Sequence, residues 1–200
     1  EYNILDVNTI KSDIQLLQKH YEEKGYYLAT AGYDLVKNEQ GSLDLVFKVK
    51  EFDKVRVKKI MFLGNSEIGD KDLKGFMQTQ EESLFSGISG SGNFKEFNFQ
   101  TDIERLKYLY KTKGYLQINI GNPQITVSED KKWIFITIKV KEGPKFTVNS
   151  IFYNGELLFT EGEMKDNAKL SPGDTYSEEK LRQDIQMLTK DIAIIFNIKV

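Results

Sequence analysis

Hydrophobic and polar residues alternate most cleanly near residue 134, where Ile134, Ile136, Ile138 and Val140 point one way and Thr137, Lys139 and Lys141 the other. A period of two predicts a strand in a sheet with one covered face and one wet face. Leu43, Leu45, Phe47 and Val49 repeat the pattern earlier in the chain. Elsewhere the apolar period is helical. Ile103, Leu106 and Tyr110 recur at three and four residues, as do Ile14, Leu17 and Tyr21, and again Leu181, Ile185 and Leu188. Gly25 and Gly114 follow lysine-bearing last turns, the usual place of a left-handed glycine that ends a helix. Extended chain is expected after each, at Tyr26-Tyr27-Leu28 and at Tyr115 to Ile120. Gly64-Asn65, Asn154-Gly155 and Glu142-Gly143-Pro144 read as turns, and Leu73, Phe76 and Met77 sit on a short helix. Thr160 and Glu163 are spaced as a capping box ahead of Met164.

These elements repeat. Ser12-Asp13-Ile14-Gln15-Leu16-Leu17 matches Thr101-Asp102-Ile103-Glu104-Arg105-Leu106, and Lys24-Gly25-Tyr26 matches Lys113-Gly114-Tyr115, both 89 residues on. Lys48-Val49-Lys50-Glu51 matches Lys139-Val140-Lys141-Glu142, and Ile60 to Gly64 matches Ile151 to Gly155, both 91 residues on. Asp184-Ile185-Gln186-Met187-Leu188 is a third copy of the helix, 82 residues after the second. Agreement of order and spacing over separate blocks marks a tandem repeat. The unit is strand, helix, helix, strand, strand, an α+β layer in which two helices cover one face of three strands. Residues 55–145 hold a complete copy. Residues 1–54 hold the C-terminal half of another, and residues 146–200 the N-terminal part of a third with an atypical end. The third lacks the tyrosine and the Lys-Gly-Tyr stop after Leu188, so its helix either runs on or ends in sequence foreign to the repeat.

The pattern resembles the POTRA (polypeptide-transport-associated) repeats of BamA-like outer-membrane protein assembly factors. The resemblance is carried by Ile60-Met61-Phe62-Leu63-Gly64-Asn65, Asp102-Ile103-Glu104-Arg105-Leu106, Tyr110 through Lys113-Gly114-Tyr115, and Lys141-Glu142-Gly143-Pro144. Gly25, Tyr26 and Gly155 complete the repeat signature. The long stretch from Thr79 to Phe99 resembles the third module of such an arm, which would make the partial copies the second and fourth. The resemblance implies a mixed three-stranded sheet in each module and a periplasmic place beneath a C-terminal membrane barrel of the same full-length chain, in the outer membrane of a Gram-negative bacterium. It also implies unfolded β-barrel precursors and accessory assembly lipoproteins as partners. An extended client pairs with an open sheet edge through backbone hydrogen bonds. The expected edge is Leu116, Gln117, Ile118, Asn119 and Ile120, continuing after Gly121 through Gln124, Ile125 and Val127; the alternative is that this strand is structural or covered. A related secretion transporter or division protein would carry the same modules.

Composition removes competing classes. Hydrophobic residues make up 40% and charged residues 29%, as in ordinary globular chains, and the net charge of −2 gives no global basic field for nucleic acid. Without cysteine there is no disulfide, thiolate or cysteine-metal chemistry. No apolar run approaches the length of a membrane span, and Glu1-Tyr2-Asn3 does not begin a signal peptide, so any leader or anchor is expected outside this stretch.

The remaining chemical signals are weak. Gly87-Ile88-Ser89-Gly90 looks superficially like the GxxG loop of KH domains, but it follows Glu81 and Glu82 and has no cation before Lys95. Gly90-Ser91-Gly92 follows no strand, so a dinucleotide fingerprint is not supported. His20 is the only histidine and reads as a partly buried helix residue. Asp13 and Asp102 each read as a residue in the first turns of a helix, where the dipole favours a carboxylate. Trp133 and Phe135 fall on the sheet face away from the helices, either as an interaction patch or as packing against a neighbouring module. No catalytic residue, metal ligand, cofactor or small-molecule substrate is expected.

Overall fold

The computed structural model describes residues 6–83, 92–155, 160–188 and 192–199. The Gly87–Gly90 segment lies outside them. The first copy consists of helix α1 (Val7–Glu23) and the hairpin β1 (Thr30–Lys37) with β2 (Leu43–Lys50). The middle copy contains β3 (Arg56–Leu63), α2 (Asp70–Phe76), α3 (Glu96–Thr112), β4 (Asn119–Ile120), β5 (Gln124–Val127) and β6 (Trp133–Lys141). The last copy contains β7 (Thr147–Gly155), α4 (Glu161–Asn167), α5 (Glu178–Leu188) and β8 (Ile192–Lys199). The chain divides into two compact units. One holds residues 1–61, 77–102 and 124–137; the other holds 62–76, 103–123 and 138–200.

In the middle copy β6 is the central strand, with β3 on one side and β4 and β5 on the other. At one end the Arg56 N–H donates to the Lys132 carbonyl, and at the other Gly64 lies against the Val140 carbonyl. β3 therefore runs parallel to β6, while β4 and β5 are antiparallel to it, which makes the sheet mixed. Ile134, Ile136 and Ile138 are fully buried and Val140 nearly so, as the alternation predicted. Each contributes roughly 1.5–3 kcal/mol by leaving water. In β3 the alternation slips by one: Val57 is buried, Lys58 and Lys59 are both exposed, and Ile60 is buried. The Glu81 carboxylate accepts the Ile60 N–H just past this slip, at 2.8 Å.

Both helix stops follow the sequence reading. Gly25 (φ 93°) and Gly114 (φ 97°) are left-handed, and the N–H of the following tyrosine returns to the carbonyl of Tyr21 or Tyr110. The next residues are turns rather than strand. Tyr27 and Leu28 form one, and Leu116 and Gln117 form its repeat, with the Ile118 N–H donating to the Tyr115 carbonyl at 3.2 Å. The turn satisfies locally the backbone groups that a strand would have offered to a neighbour.

Four further expectations change. Phe76 on α2 is 42% exposed, while Leu73 and Met77 form the buried side. Asn154 and Gly155 are the last residues of β7, paired with Ala193 and Ile192, because the ladder extends through the expected turn. A helix running on to the end of the chain is not found: Ile192–Lys199 is a strand antiparallel to β7, unlike the parallel pairing of β3 with β6. In the first copy Leu43 (60%) and Phe47 (41%) stay exposed on the face that should be covered, since only α1 lies over the hairpin. The capping box of α4 is present, with reciprocal bonds between Thr160 and Glu163.

Candidate functional site

A sheet binds an extended chain only through an edge that nothing else occupies, so the two edges of the middle copy set what it can do. The outer edge of β3 is closed. Val57 donates its N–H to the Gly92 carbonyl at 2.7 Å and accepts from the Glu82 N–H at 2.8 Å, while the Phe94 N–H donates to the Val55 carbonyl at 2.9 Å. Phe94 is fully buried there. The last copy closes β7 in the same way, through the Tyr176 N–H on the Phe146 carbonyl at 3.0 Å and the Val148 N–H on the Asp174 carbonyl at 2.8 Å.

The other edge pairs with nothing beyond β6 among the described residues. Asn119 pairs with Lys141 and Ile120 with Val140, but Gln124 pairs with Thr137, which leaves one extra residue on the edge side. Gly121-Asn122-Pro123 is thus a bulge in one interrupted strand, with a proline that can give no N–H to a partner. The expected edge of eight named positions reduces to two short ladders. Leu116, Gln117 and Ile118 lie outside them, Asn119 and Ile120 form β4, and Gln124, Ile125 and Val127 lie in β5. In β5, Ile125 and Val127 share the helix-covered face with Ile136 and Ile134; Gln124 and Thr126 share the open face with Thr137 and Phe135.

That open face is built along β6 as Trp133, Phe135, Thr137, Lys139 and Lys141. Trp133 is half-buried and Phe135 is 37% exposed. The Lys58 ammonium lies 4.4 Å from the Trp133 ring centre and the Arg56 guanidinium 6.0 Å from it, and Arg56 also pairs with Glu82. Spacing along one strand could place Trp133 and Phe135 together. The cations come from β3, 75 to 77 residues earlier, and nothing local announced them.

The repeated acidic positions are structural. Asp13, Asp102 and Asp184 are each the seventh residue of their helix, in its second turn. Asp102, with no exposed surface, accepts the Gln78 and Thr79 N–H groups at 2.7 Å each. Asp184 does the same for Lys169 and Leu170 at 2.6 and 3.0 Å. Each carboxylate ties the second helix of its copy to the chain leaving the first. Asp13 is exposed, as is His20, whose expected partial burial is not found because no second helix lies over α1. Among the described residues no cluster of His, Asp and Glu could hold a metal ion, and no helix is long and apolar enough to cross a membrane.

Glu142 is the densest polar knot. It accepts from the Ser66 N–H and hydroxyl, the Glu67 N–H and the Tyr110 hydroxyl, all between 2.7 and 3.1 Å. Burial pushes its carboxyl up, but those donors outweigh burial and hold it below the ordinary value. Burial and the Glu142 bond raise the Tyr110 phenol, and burial with the Glu67 bond pushes Tyr115 up to about 12.

A βααββ copy repeated in tandem, with one closed and one open sheet edge, defines a class of repeat module. The family model for POTRA, surface antigen variable number repeat, matches residues 55–143 and 146–193, more than half of the chain, and the chain belongs to that family. The outer membrane protein assembly factor BamA of Nitratidesulfovibrio vulgaris is 28% identical over 170 residues, spanning 84% of this chain and 21% of that protein. BamA of Neisseria meningitidis is 23% identical over 174 residues, spanning 86% and 22%. The chain therefore covers about a fifth of the length of these relatives. The crystal structure of Haemophilus influenzae BamA POTRA3-5 matches all of this chain and 83% of its own, at a TM-score of 0.55 and 14% identity. BamA from Haemophilus ducreyi lacking POTRA domains 1-3 matches 76% of this chain and 25% of its own, at 0.52 and 18%. Both likenesses concern the fold.

Proposed function

We propose that this chain is part of the periplasmic POTRA arm of an outer-membrane β-barrel assembly factor. It holds nascent outer-membrane proteins by strand pairing and docks accessory assembly lipoproteins beneath the membrane barrel of the full-length protein. The observation that carries this reading is the asymmetry of the middle sheet, whose β3 edge is closed by backbone bonds while the β4–β5 edge carries none from another strand among the described residues. Backbone pairing asks little of side chains, which suits a receptor for clients of different sequence. The bulge and Pro123 keep the edge short, so it holds a client weakly and resists pairing with its own copies. Trp133 and Phe135 on the open face are the second contact surface in this reading.

Isotope-labelled chain titrated with uncharged β-barrel strand peptides tests it. Amide shifts should concentrate at Gln124–Val127, with smaller ones at Asn119 and Ile120. Shifts confined to α1 or α3 would reject strand pairing. Pro123→Ala, which restores an N–H, should extend the shifted run toward Asn122.

A further inference from the structure

Among the described residues two non-glycine positions have left-handed backbones, Phe52 at φ 55° and Lys131 at φ 58°. Their side chains meet. The Lys131 ammonium lies 4.6 Å from the centre of the Phe52 ring, and the Lys50 ammonium lies 4.6 Å from the same centre. The repeat supplies its own control. Phe52 follows Glu51 as Gly143 (φ 73°) follows Glu142, and Lys131 occupies the hairpin position that Gly41 (φ 81°) holds in the first copy. Both turns need a left-handed residue, and glycine takes that backbone without strain. Among the described residues the chain has accepted this strain only at the two positions whose side chains join one cluster, and strain of this kind concentrates at ligand clamps.

Phe52 is followed in the chain by Asp53, and Lys131 by Lys132 and Trp133, which together with Lys54, Arg56 and Asn93 line a cleft of about 440 Å³; Lys58 and Arg56 stand over the Trp133 ring. Lys50, Lys54, Lys58 and Lys131 rest on aromatic rings and have no ion pair among the described residues. In a chain of net charge −2 this is a local concentration of cations still free to take an anion.

We propose that this cleft, with the cationic–aromatic residues flanking it, binds an acidic polypeptide segment of a partner, with its carboxylates at the flanking Lys50, Lys58 and Lys131 and an apolar or aromatic side chain against Trp133. A peptide fits better than a membrane or a nucleic acid. Continuous phosphates would be pressed against Asp53, Glu82 and Asp130, whereas a peptide can place single carboxylates at the lysines and leave the acidic positions uncontacted. The proposal rests on the reading of this chain as a polypeptide-binding scaffold, but it uses residues separate from the β5 edge.

Trp133, the only tryptophan of the chain, reports on the cleft directly. The probe is a short synthetic peptide of alternating Glu and Tyr, compared with its Lys-for-Glu counterpart, both titrated into the 200-residue chain under tryptophan-selective excitation. The acidic peptide should change the Trp133 emission saturably and more weakly as salt rises, and the basic one should not. The double variant Phe52→Gly, Lys131→Gly should lower the affinity at least about tenfold while its thermal midpoint holds or rises, because strain is relieved. Lys58→Gln should weaken binding as well. The double variant should keep its response to the uncharged strand peptide at Gln124–Val127, so loss of that response in both proteins would reject the strand-edge reading and leave the cleft standing. Equal affinity in the double variant, or binding to phosphatidylglycerol-containing vesicles without binding to the acidic peptide, would overturn the proposal.

Discussion

The Tyr110 hydroxyl donates to the Glu142 carboxylate at 2.9 Å, joining the last turn of α3 to the end of β6, and the pair recurs in the first copy as Tyr21 and Glu51. In the middle copy the carboxylate also holds the loop after β3 through Ser66 and Glu67, so one side chain fastens three segments. Tyr110→Phe should cost about 1–3 kcal/mol and Glu142→Ala more, because the alanine leaves the buried Tyr110 hydroxyl and the part-buried Ser66 and Glu67 donors without their acceptor. Tyr21→Phe, at a half-exposed site, should shift the midpoint far less. Urea denaturation of the three variants checks the order.

Acid should release the same knot. The folded carboxyl of Glu142 lies below its ordinary 4.5, so its contribution is present above that value and is lost as pH falls through the folded value. The tyrosines act in the opposite direction. With Tyr115 raised from 10.0 to about 12, its contribution is complete below pH 10 and disappears as pH rises toward 12. Thermal midpoints should therefore fall at both ends, and Glu142→Gln should flatten the acid limb. An unchanged acid limb in that variant would remove Glu142 from the account.

Asp102→Ala should destabilise by about 2–5 kcal/mol, since two N–H groups lose a buried, charged acceptor. Asp13→Ala, the same repeat position on an exposed surface, should be close to neutral. Comparable losses in both would mean that the helix position itself, not the N–H clamp, matters.

Gly114→Ala and Gly25→Ala separate backbone strain from crowding. Both glycines are left-handed, which costs an L-residue about 1–2 kcal/mol. A methyl at Gly114 would also stand 2.7 Å from Thr175 Cγ2, whereas one at Gly25 meets nothing closer than 3.7 Å. Gly114→Ala should be clearly the worse of the two in equilibrium unfolding.

Hydrogen exchange should rank the elements by cover. Amides of β6, between strands on both sides, should exchange slowest. Those of α1, where Ile10 is the only buried residue, and of the β1–β2 hairpin should exchange much faster. Protection of α1 equal to that of α3 would show that the first copy is closed by contacts beyond its own hairpin.

Sequence alone determined the repeat, the βααββ order, the buried face of β6, the helix-stopping glycines and the capping box. Each of these is written in a local period or in a residue whose backbone preference acts within a few positions. Leu116 and Gln117 fit a strand pattern but form a turn, because an apolar alternation and a turn can share one short pattern, and only pairing with β6 decides between them. The same holds for the bulge at Gly121-Asn122-Pro123, which is a count of residues against a partner. Tertiary structure alone decided which sheet edge is closed, that Asp102 is buried while Asp13 is not, and that Arg56 and Lys58 stand over Trp133. These are relations between residues far apart in the chain, fixed by which backbone groups and ring faces remain unpaired once the sheet has formed.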